Sequence, residues 1–357
     1  MCPATTTAPG TAARTAPKNA ASATGPARGP QVLWLLAAVA VLVLLTGASL
    51  AIGARGLELG TVGQALTGFD PVSGDHAVVH ARIPRTILGL LAGGALGLAG
   101  AAMQGVARNP LADPGILGIN AGAALAIVTG IYVFGVTTLT GYIWFAFLGA
   151  AAAAVVVYVI ASLGRDSATP VRLALAGAAL SAGLSSLTNV ILVSSRDTLD
   201  RFRFWQVGGI AGRDWAVILP ALPFLLLGAA IVLCTGRILN NLALGDDLAR
   251  GLGQRVGLSR GISALGIVLL CGSATALAGP IGFVGLVVPH AVRFLAGPDY
   301  RWILPLSLVL APALLLAADV AGRVILLPGE VPAGILTALL GAPVFVWLIR
   351  RGKAAGL

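Results

Sequence analysis

Charged side chains are scarce in this sequence. Asp, Glu, Lys and Arg make up 10% of its 357 residues, whereas 57% of the residues are hydrophobic. Soluble domains carry about 25% charged residues, and disordered chains have low hydrophobicity, so both classes are excluded. Since a membrane-spanning helix needs roughly 20 apolar residues, the chain has room for about ten spans and for no sizeable soluble domain.

Lysine and cysteine are also rare. Lys18 and Lys353 are the two lysines, and neither lies in the G-x-x-x-x-G-K-[ST] loop that cradles nucleotide phosphates. Any ATP that drives this protein is therefore expected on another subunit. The cysteines Cys2, Cys234 and Cys271 lack metal-site spacing, so we expect neither a disulfide framework nor a metal site. No Ser-His-Asp or paired-carboxylate set stands at catalytic spacing, which predicts no catalytic residue, no enzyme activity and no cofactor bound by this chain.

Ten apolar stretches predict an all-α polytopic membrane protein with ten transmembrane helices. They lie near 32–52, 86–106, 115–135, 142–163, 171–194, 215–235, 261–279, 283–296, 302–321 and 333–349. The first is longer than the apolar core of a signal peptide, about 7–15 residues, so we expect a retained helix. Several prolines interrupt the runs and predict short broken helices, as in transporters: Pro110, Pro114, Pro280, Pro289, Pro328 and Pro332.

The domain limits and the orientation follow from composition and charge. Residues 1–30, rich in Ala, Thr and Pro, predict a disordered basic tail, followed by a membrane domain over 31–351 and a short tail over 352–357. With both termini in the cytoplasm, fifteen of the 23 Lys and Arg residues lie on the inner side, as the positive-inside rule requires. The outer segments hold the other eight: Arg55, Arg82, Arg85, Arg196, Arg201, Arg203, Arg213 and Arg323.

Two groups of these outer charges stand out. Arg82 and Arg85 lie three residues apart at the predicted outer start of the second span, where cations oppose the helix macrodipole. They either snorkel toward lipid headgroups or receive carboxylates from a partner, which arginine binds in a bidentate manner. Asp319 precedes Arg323 by four residues, so the two are predicted to pair on one helix face. That pairing would make Asp319 structural rather than a proton carrier.

Other patterns are weaker. Gly93, Gly97 and Gly100 form a stripe of small residues that predicts close helix contact. His76 and His80 stand at i,i+4, but no third ligand is evident, so we do not expect metal binding there. The longest polar stretch on the inner side, 240–258, predicts two short helices with a turn, with an ordinary solvated loop as the alternative.

Six segments in a fixed order carry more specific information. They are Arg82–Arg85 (RIPR), Arg108–Gly115 (RNPLADPG), Leu244–Gly253 (LGDDLARGLG), Gly279–His290 (GPIGFVGLVVPH), Ala318–Arg323 (ADVAGR) and Gly341–Phe345 (GAPVF). Together they resemble the FecCD-type permease subunits of type II ABC importers for iron-siderophores, haem and vitamin B12, over roughly residues 32–350. The resemblance implies a homodimer or heterodimer of permeases in a bacterial cytoplasmic membrane, two cytoplasmic ATPases that use ATP and Mg, and an extracytoplasmic binding protein.

The resemblance also implies roles for individual residues. The positions that match a docking pocket for acidic residues of the binding protein are Arg82, Arg85 and Arg323. Those that match a cytoplasmic coupling-helix pair are Gly245, Asp246, Asp247, Ala249 and Gly253. Those that match the cytoplasmic gate of the path are Asn109, Pro110 and Leu111, although a turn with Pro is also an ordinary helix stop.

Two departures from the family pattern affect these roles. The family usually has Gly-Glu at the positions of Gly245 and Asp246, so the shorter Asp leaves the contact with the ATPase open. A second gate segment, often rich in Ser and Thr, falls near Ala168-Thr169-Pro170.

The sequence therefore predicts a permease subunit that moves a bulky ferric siderophore by alternating access, driven by separate ATPases. A haem or vitamin B12 importer of the same family is one alternative. An ion-coupled secondary transporter is the alternative from another class. Such a transporter would place ionisable residues at membrane depth, and only Asp319 approaches this.

Overall fold

The computed structural model describes residues 29–163 and 169–354, and these ranges form fifteen α-helices and two short 3-10 helices. The α-helices are α1 (Gly29–Ala51), α2 (Leu59–Thr67), α3 (Gly74–Ala107), α4 (Ile119–Phe134), α5 (Leu139–Ser162), α6 (Pro170–Ser194), α7 (Arg196–Gln206), α8 (Trp215–Ile218), α9 (Leu222–Cys234), α10 (Gly236–Ala243), α11 (Asp246–Gly251), α12 (Val256–Ala278), α13 (Val284–Ala296), α14 (Tyr300–Ile325) and α15 (Ala333–Ala354). The 3-10 helices are Pro114–Leu117 and Leu219–Ala221. Of the predicted tails, 1–28 and 355–357 lie outside the described residues, while Gly29 and Pro30 already belong to α1 and residues 352–354 still belong to α15.

The all-α polytopic class is confirmed. Within the described residues, seven helical segments are long and apolar enough to cross a membrane: Gln31–Ala51, Gly74–Ala107, Thr140–Ser162, Pro170–Ser194, Trp215–Cys234, Val256–Ala278 and Tyr300–Ile325. Three shorter apolar helices, Ile119–Phe134, Val284–Ala296 and Ala333–Trp347, account for the remaining predicted stretches. Seven spans are thus supported by length and composition, and the count of ten stays a prediction.

Polar residues at the starts of the helices explain where several of them begin. The side chains of Ser73, Thr138, Thr169 and Ser195 each accept a hydrogen bond from a backbone N–H in the first turn of the helix that follows. Asp299 does the same for α14. Such N-caps satisfy amides that the helix itself leaves without a partner.

Helix α3 is the centre of the molecule. It packs against α12, α13 and α14 and is buried along almost its whole length from Thr86 to Ala107. The predicted glycine stripe makes these contacts possible, because a Cβ on Gly93 would lie 2.5 Å from the Cα atom of Pro312. A Cβ on Gly100 would overlap the backbone oxygen of Gly285 in α13. Backbones this close permit dense packing without large side chains.

Two predictions about helix boundaries are wrong. Pro289 does not interrupt its helix but lies inside α13; the carbonyl that it leaves without a helical partner is that of Gly285, which faces Gly100. The second span does not begin near residue 86, because α3 continues back to Gly74 through a polar turn capped by Ser73. Hydropathy detects the apolar part of such a helix only.

Candidate docking and coupling sites

The two candidate sites lie at the two ends of α3. Arg82 and Arg85 are near its beginning, whereas Arg108 follows its last residue. At 1.5 Å per residue, the helix between Arg85 and Arg108 is about 35 Å long, slightly more than the roughly 30 Å hydrocarbon thickness of a bilayer. We call the end with Arg85 the arginine face and the end with Arg108 the coupling face.

The arginine face is organised around one buried carboxylate. Asp319 and Arg323, both on α14 and each 2% exposed, form the ion pair that the i,i+4 spacing predicts. Asp319 also accepts from Arg85, at 2.7 Å from Nη2 and 3.1 Å from Nε. A single carboxylate therefore holds two guanidinium groups, one from α3 and one from α14.

Arg323 has no donor left for a partner protein. Its Nε and Nη2 donate to Asp319, Nη2 donates also to the Ser49 hydroxyl, and Nη1 donates to the carbonyl oxygens of Ser49 and Ile52. These five N–H···O bonds use every donor of the guanidinium. In this conformation Arg323 fixes the end of α1 to α14.

Arg82 also binds the end of α1. Its Nη1 donates to the carbonyls of Leu50 at 2.8 Å and Ala51 at 2.9 Å, and its Nη2 donates to the carbonyl of Arg55 at 2.6 Å. The last carbonyls of a helix lack helical partners and carry its negative dipole end, so cations are favourable there. Since α3 begins at Gly74, Arg82 lies beyond the first turn, where the expected macrodipole penalty is small, and it points into the protein rather than toward lipid headgroups.

Arg85 is bound from a second side by Glu330. Its Nη1 lies 2.7 Å from Oε2 of Glu330, a residue in the segment between α14 and α15. The side chain of Arg85 is 15% exposed and that of Glu330 is 37% exposed, so this pair closes the cluster toward the surface. Arg82, Arg85 and Arg323 therefore do converge, as the sequence suggested, but each has partners within the chain.

A cavity of about 230 Å³ opens beside this cluster. Arg85, Asp319 and Glu330 form one wall, and Phe204 and Arg213 line another part. Arg213 lies outside the spans, in the loop between α7 and α8, and its Nε donates to the carbonyl of Leu277 at 2.9 Å. Burial lowers the pKa of the Arg213 guanidinium from its usual value.

The coupling face carries the predicted pair of short helices, α10 and α11, joined at Leu244 and Gly245. The pair begins at Gly236, earlier than the predicted 240. Gly245 has a φ of 105°, which favours glycine, and Gly253, with a φ of 80°, reverses the chain toward α12. Ala249 is completely buried against its neighbours.

The two adjacent aspartates of α11 have different environments. Oδ1 of Asp246 lies 2.9 Å from Arg108 at the end of α3 and 2.9 Å from the buried Arg260 of α12. Asp247 is 100% exposed and pairs with Arg250 at 3.0 Å. Asp246 thus anchors the helix pair to the membrane helices, whereas Asp247 is on the surface.

Asn240 adds a second anchor for the same pair. Its amide nitrogen donates to Asp299 at 2.7 Å, and its amide oxygen accepts from the backbone N–H of Tyr300 at the start of α14. Hydrogen bonds from Arg301 and Asn240 hold the pKa of Asp299 at about 2, so this carboxylate is ionised at any physiological pH. The helix pair is therefore fixed to α3, α12 and α14.

The predicted gate residues form an exposed turn next to these anchors. Arg108 ends α3 with a φ of 49°, and the side-chain oxygen of Asn109 accepts from the backbone N–H of Leu111 at 2.9 Å. Pro110 is exposed in the middle of this turn. Since Arg108 binds Asp246, the turn is tied to α11. For the second segment, Thr169 caps α6 and Ala168 lies outside the described residues.

Helix α6 presents polar groups on its exposed surface. It is mostly exposed, and Ser185, Ser186 and Asn189 lie on its exposed surface. A cavity of about 310 Å³ beside α6 is also lined by Asn120 and Trp205. The Trp205 indole N–H is buried and has no hydrogen-bond partner in the described part of the chain.

The two histidines have structural contacts. His76 Nδ1 accepts from the backbone N–H of Asp70 at 3.0 Å. His80 Nε2 lies 3.3 Å from the carbonyl oxygen of Ala65, and its ring lies 4.3 Å from that of Phe69. Both therefore connect α3 to α2 and to the loop between the two helices.

Sequence reasoning assigned no contact to four contributors, Arg108, Arg213, Arg260 and Glu330, although Arg108 stands in one of the six informative segments. Their partners lie 14 to 245 residues away in the chain, beyond any spacing rule for a single helix. Arg213 was visible as one of the eight outer arginines that oppose the positive-inside rule. That rule was the one sequence signal that could have found it.

Comparison with known proteins agrees with these features. A model of the FecCD transport family matches residues 41–351. The chain is 47% identical over 316 residues to the ferric enterobactin transport system permease protein FepD of Escherichia coli (strain K12), covering 88% of this chain and 94% of FepD. It is 37% identical to the hemin transport system permease protein HmuU of Yersinia pestis, covering 88% and 94%.

A solved structure resembles the fold closely. An inward-facing conformation of a metal-chelate type ABC transporter superimposes with a TM-score of 0.78 at 30% sequence identity, covering 89% of this chain and 98% of the other. The family match and the identity to FepD extend over nearly nine-tenths of the chain. This chain belongs to the FecCD transport family.

Proposed function

We propose that this chain is the permease subunit of an ABC importer that moves a ferric siderophore-type chelate across the bacterial cytoplasmic membrane. The observation that carries the proposal is the position of α3, which joins an arginine cluster on one face to an ion-paired helix pair on the other. A permease driven from one side and loaded from the other needs such a connection.

The ATPase partner is proposed for the coupling face. Asp247 is fully exposed there, and Leu244, Leu248 and Leu252 are 58–62% exposed. Three exposed leucines with a charged residue beside them suit a protein interface better than a solvated loop. Because Asp246, Asn240 and Asp299 fix α10 and α11 to three long helices, a force on this surface reaches the membrane helices.

The binding protein is proposed for the arginine face. Arg85 is the member of the predicted set best placed for it, because it is partly exposed and lines the cavity. Arg82 and Arg323 contribute by fixing α1 beside it. Acidic side chains of the binding protein would supply the carboxylates.

The path is proposed to run beside α6, against a second permease subunit. Exposed Ser185 and Asn189 are unfavourable against lipid but suit a protein or water-lined surface, whereas the Ser186 hydroxyl donates to the Ala182 carbonyl. We propose ten spans, with both termini and the coupling face in the cytoplasm. We infer a siderophore rather than haem because FepD, a ferric enterobactin permease, is more similar in sequence than the hemin permease.

Reconstitution tests the proposal. The chain, its partner permease where one exists, the ATPases and the binding protein are placed in proteoliposomes, and ATP-dependent uptake of a radiolabelled ferric siderophore is measured. Asp247→Lys is expected to abolish most of the uptake, because it reverses a charge at the proposed ATPase contact. The matched control is Asp197→Lys in α7, another exposed aspartate (71% exposed) with a local Arg partner, and it is expected to transport normally.

Two results would contradict the proposal. Uptake by the chain alone, driven by an ion gradient without ATPase, would place it among secondary transporters. Normal ATP-coupled uptake by Asp247→Lys would remove α11 from the ATPase interface.

A further inference from the structure

Arg213 differs from Arg82, Arg85 and Arg323 because, among the described residues, its two terminal nitrogens have no hydrogen-bond partner. Among the described residues, no carboxylate lies within ion-pair distance of Arg213, and its one hydrogen bond goes from Nε to a backbone carbonyl. The carboxylate of the adjacent Asp214 accepts instead from the backbone N–H of Val217. The two terminal nitrogens of the Arg213 guanidinium therefore have no carboxylate partner, although the side chain is half-buried.

The loop that carries Arg213 is held rigidly. The N–H of Gly209 donates to the carbonyl of Ala278 at 2.7 Å, and the N–H of Gly334 donates to the carbonyl of Gly208 at 3.2 Å. The loop is thus tied to the end of α12 and to the start of α15. The bond from Nε to Leu277 fixes the guanidinium in turn, so that it is oriented in advance of any binding event.

The Arg213 guanidinium shares a cavity with the ion-pair cluster around Asp319. Arg85 and Arg213 both line it, together with Glu330 and Asp319. Asp319 pairs with both Arg85 and Arg323, and Glu330 pairs with Arg85. Within the described ranges, Arg213 is the one charged residue lining this cavity that has no oppositely charged partner.

We propose that Arg213 is a further anchoring residue for the binding protein, whose acidic side chain enters this cavity and binds the terminal nitrogens of Arg213. The inference rests on the proposed docking function of the arginine face. It assigns to Arg213 the part that the sequence suggested for Arg323, whose donors are all used within the chain. A guanidinium that is already half-buried and oriented by its Nε bond loses less hydration and less side-chain freedom when it forms a bidentate pair with a carboxylate.

The test measures docking directly. The permease–ATPase complex in lipid nanodiscs is immobilised, and the dissociation constant of the purified binding protein of the same system is measured by interferometry. Arg213→Gln is expected to bind about tenfold more weakly, the loss that a charge-assisted hydrogen bond commonly causes. Arg196→Gln is the matched control, because Arg196 is an exposed outer arginine that does not line the cavity, and its affinity should stay within about twofold.

Charge exchange makes the test specific. Arg213→Glu should abolish docking, and the binding-protein variant in which the contacting acidic residue is replaced by Arg should restore it. Monodisperse elution and unchanged basal ATP hydrolysis show that each variant is folded. Should Arg213→Gln fail to fold, Arg213→Lys retains the charge without the planar fork and is expected to show a smaller but measurable loss.

The outcomes separate the inference from the proposed function. A wild-type complex that does not bind the protein overturns the docking function itself. Wild-type docking with an unchanged constant for Arg213→Gln overturns only the inference. A loss seen with the chelate-loaded binding protein but not with the chelate-free one would mean that Arg213 contacts the cargo, which also overturns it.

Discussion

Replacing Asp319 by Asn tests whether this buried carboxylate is a charge anchor. The substitution keeps the size of the side chain but removes the negative charge between Arg85 and Arg323. Both Asp319 and Arg323 are 2% exposed, and Arg85 is 15% exposed, so water replaces little of the lost interaction. Removing one partner of a buried ion pair costs about 3–5 kcal/mol, and we expect a loss of that size in the free energy of unfolding.

Unfolding in SDS, followed by tryptophan fluorescence, measures this loss. Asp197→Asn is the matched control, because Asp197 is 71% exposed and pairs with Arg201 at the same i,i+4 spacing on α7. Its loss should stay below about 1 kcal/mol, as for exposed ion pairs. A loss below about 1 kcal/mol for Asp319→Asn would refute the anchor role.

The same variant separates the two classes of transporter. If Asp319 carried a proton, the Asn variant would fold with near-normal stability and would lose transport selectively. If Asp319 is an anchor, stability falls first, and the double variant Asp319→Leu with Arg323→Met should recover part of it, because it removes both charges together. Arg85 keeps its bond to Glu330 in that double variant.

Two further predictions concern packing and docking. Gly100→Ala should prevent folding into a monodisperse protein, as judged by fluorescence-detected gel filtration, because the added Cβ would overlap a backbone oxygen of α13 and overpacking commonly costs about 1–3 kcal/mol or more. The control Gly47→Ala, at a position with nothing within 4 Å, should elute normally. Equal behaviour of the two variants would contradict the packing argument. Glu330→Gln should tighten docking of the binding protein severalfold in the nanodisc assay, because it weakens the bond that holds Nη1 of Arg85 and removes a negative charge from the cavity. Weaker docking would mean that Glu330 itself belongs to the interface.

The sequence predictions that the structure confirms were derived from local patterns. Asp319 and Arg323 were predicted to pair because an i,i+4 spacing fixes their distance on any helix. The pair of short helices around Gly245 followed from a polar stretch with glycines between two apolar runs. The contact of Gly100 was indicated by a stripe of small residues at helical spacing. In each case the information lies within a few turns of the chain.

Contacts between distant segments could not be predicted in this way. Arg85 and Asp319 are separated by 234 residues, and no spacing rule connects them. The start of α3 at Gly74 was missed because its first turns are polar, and hydropathy does not distinguish a polar helix from a loop. The same holds for Arg213 and Glu330, which are distant in the chain and line one cavity only because the segments after α7 and α14 come together in the fold.

The separation of Asp246 from Asp247 explains how a rigid permease could be driven from one face. In the proposed coupling, the exposed Asp247 contacts the ATPase, and Asp246 passes any displacement to Arg108, which it binds at the end of α3. Because α3 is buried and its backbone lies against α13 at Gly100, we expect a displacement at Arg108 to move the helix as a body. Arg85 at the other end holds α14 through Asp319, which means that the arginine face moves with the coupling face. In the proposed importer, alternating access would then require two packings of α3 and α14 against the helices around them, since packed interfaces change between discrete arrangements rather than continuously.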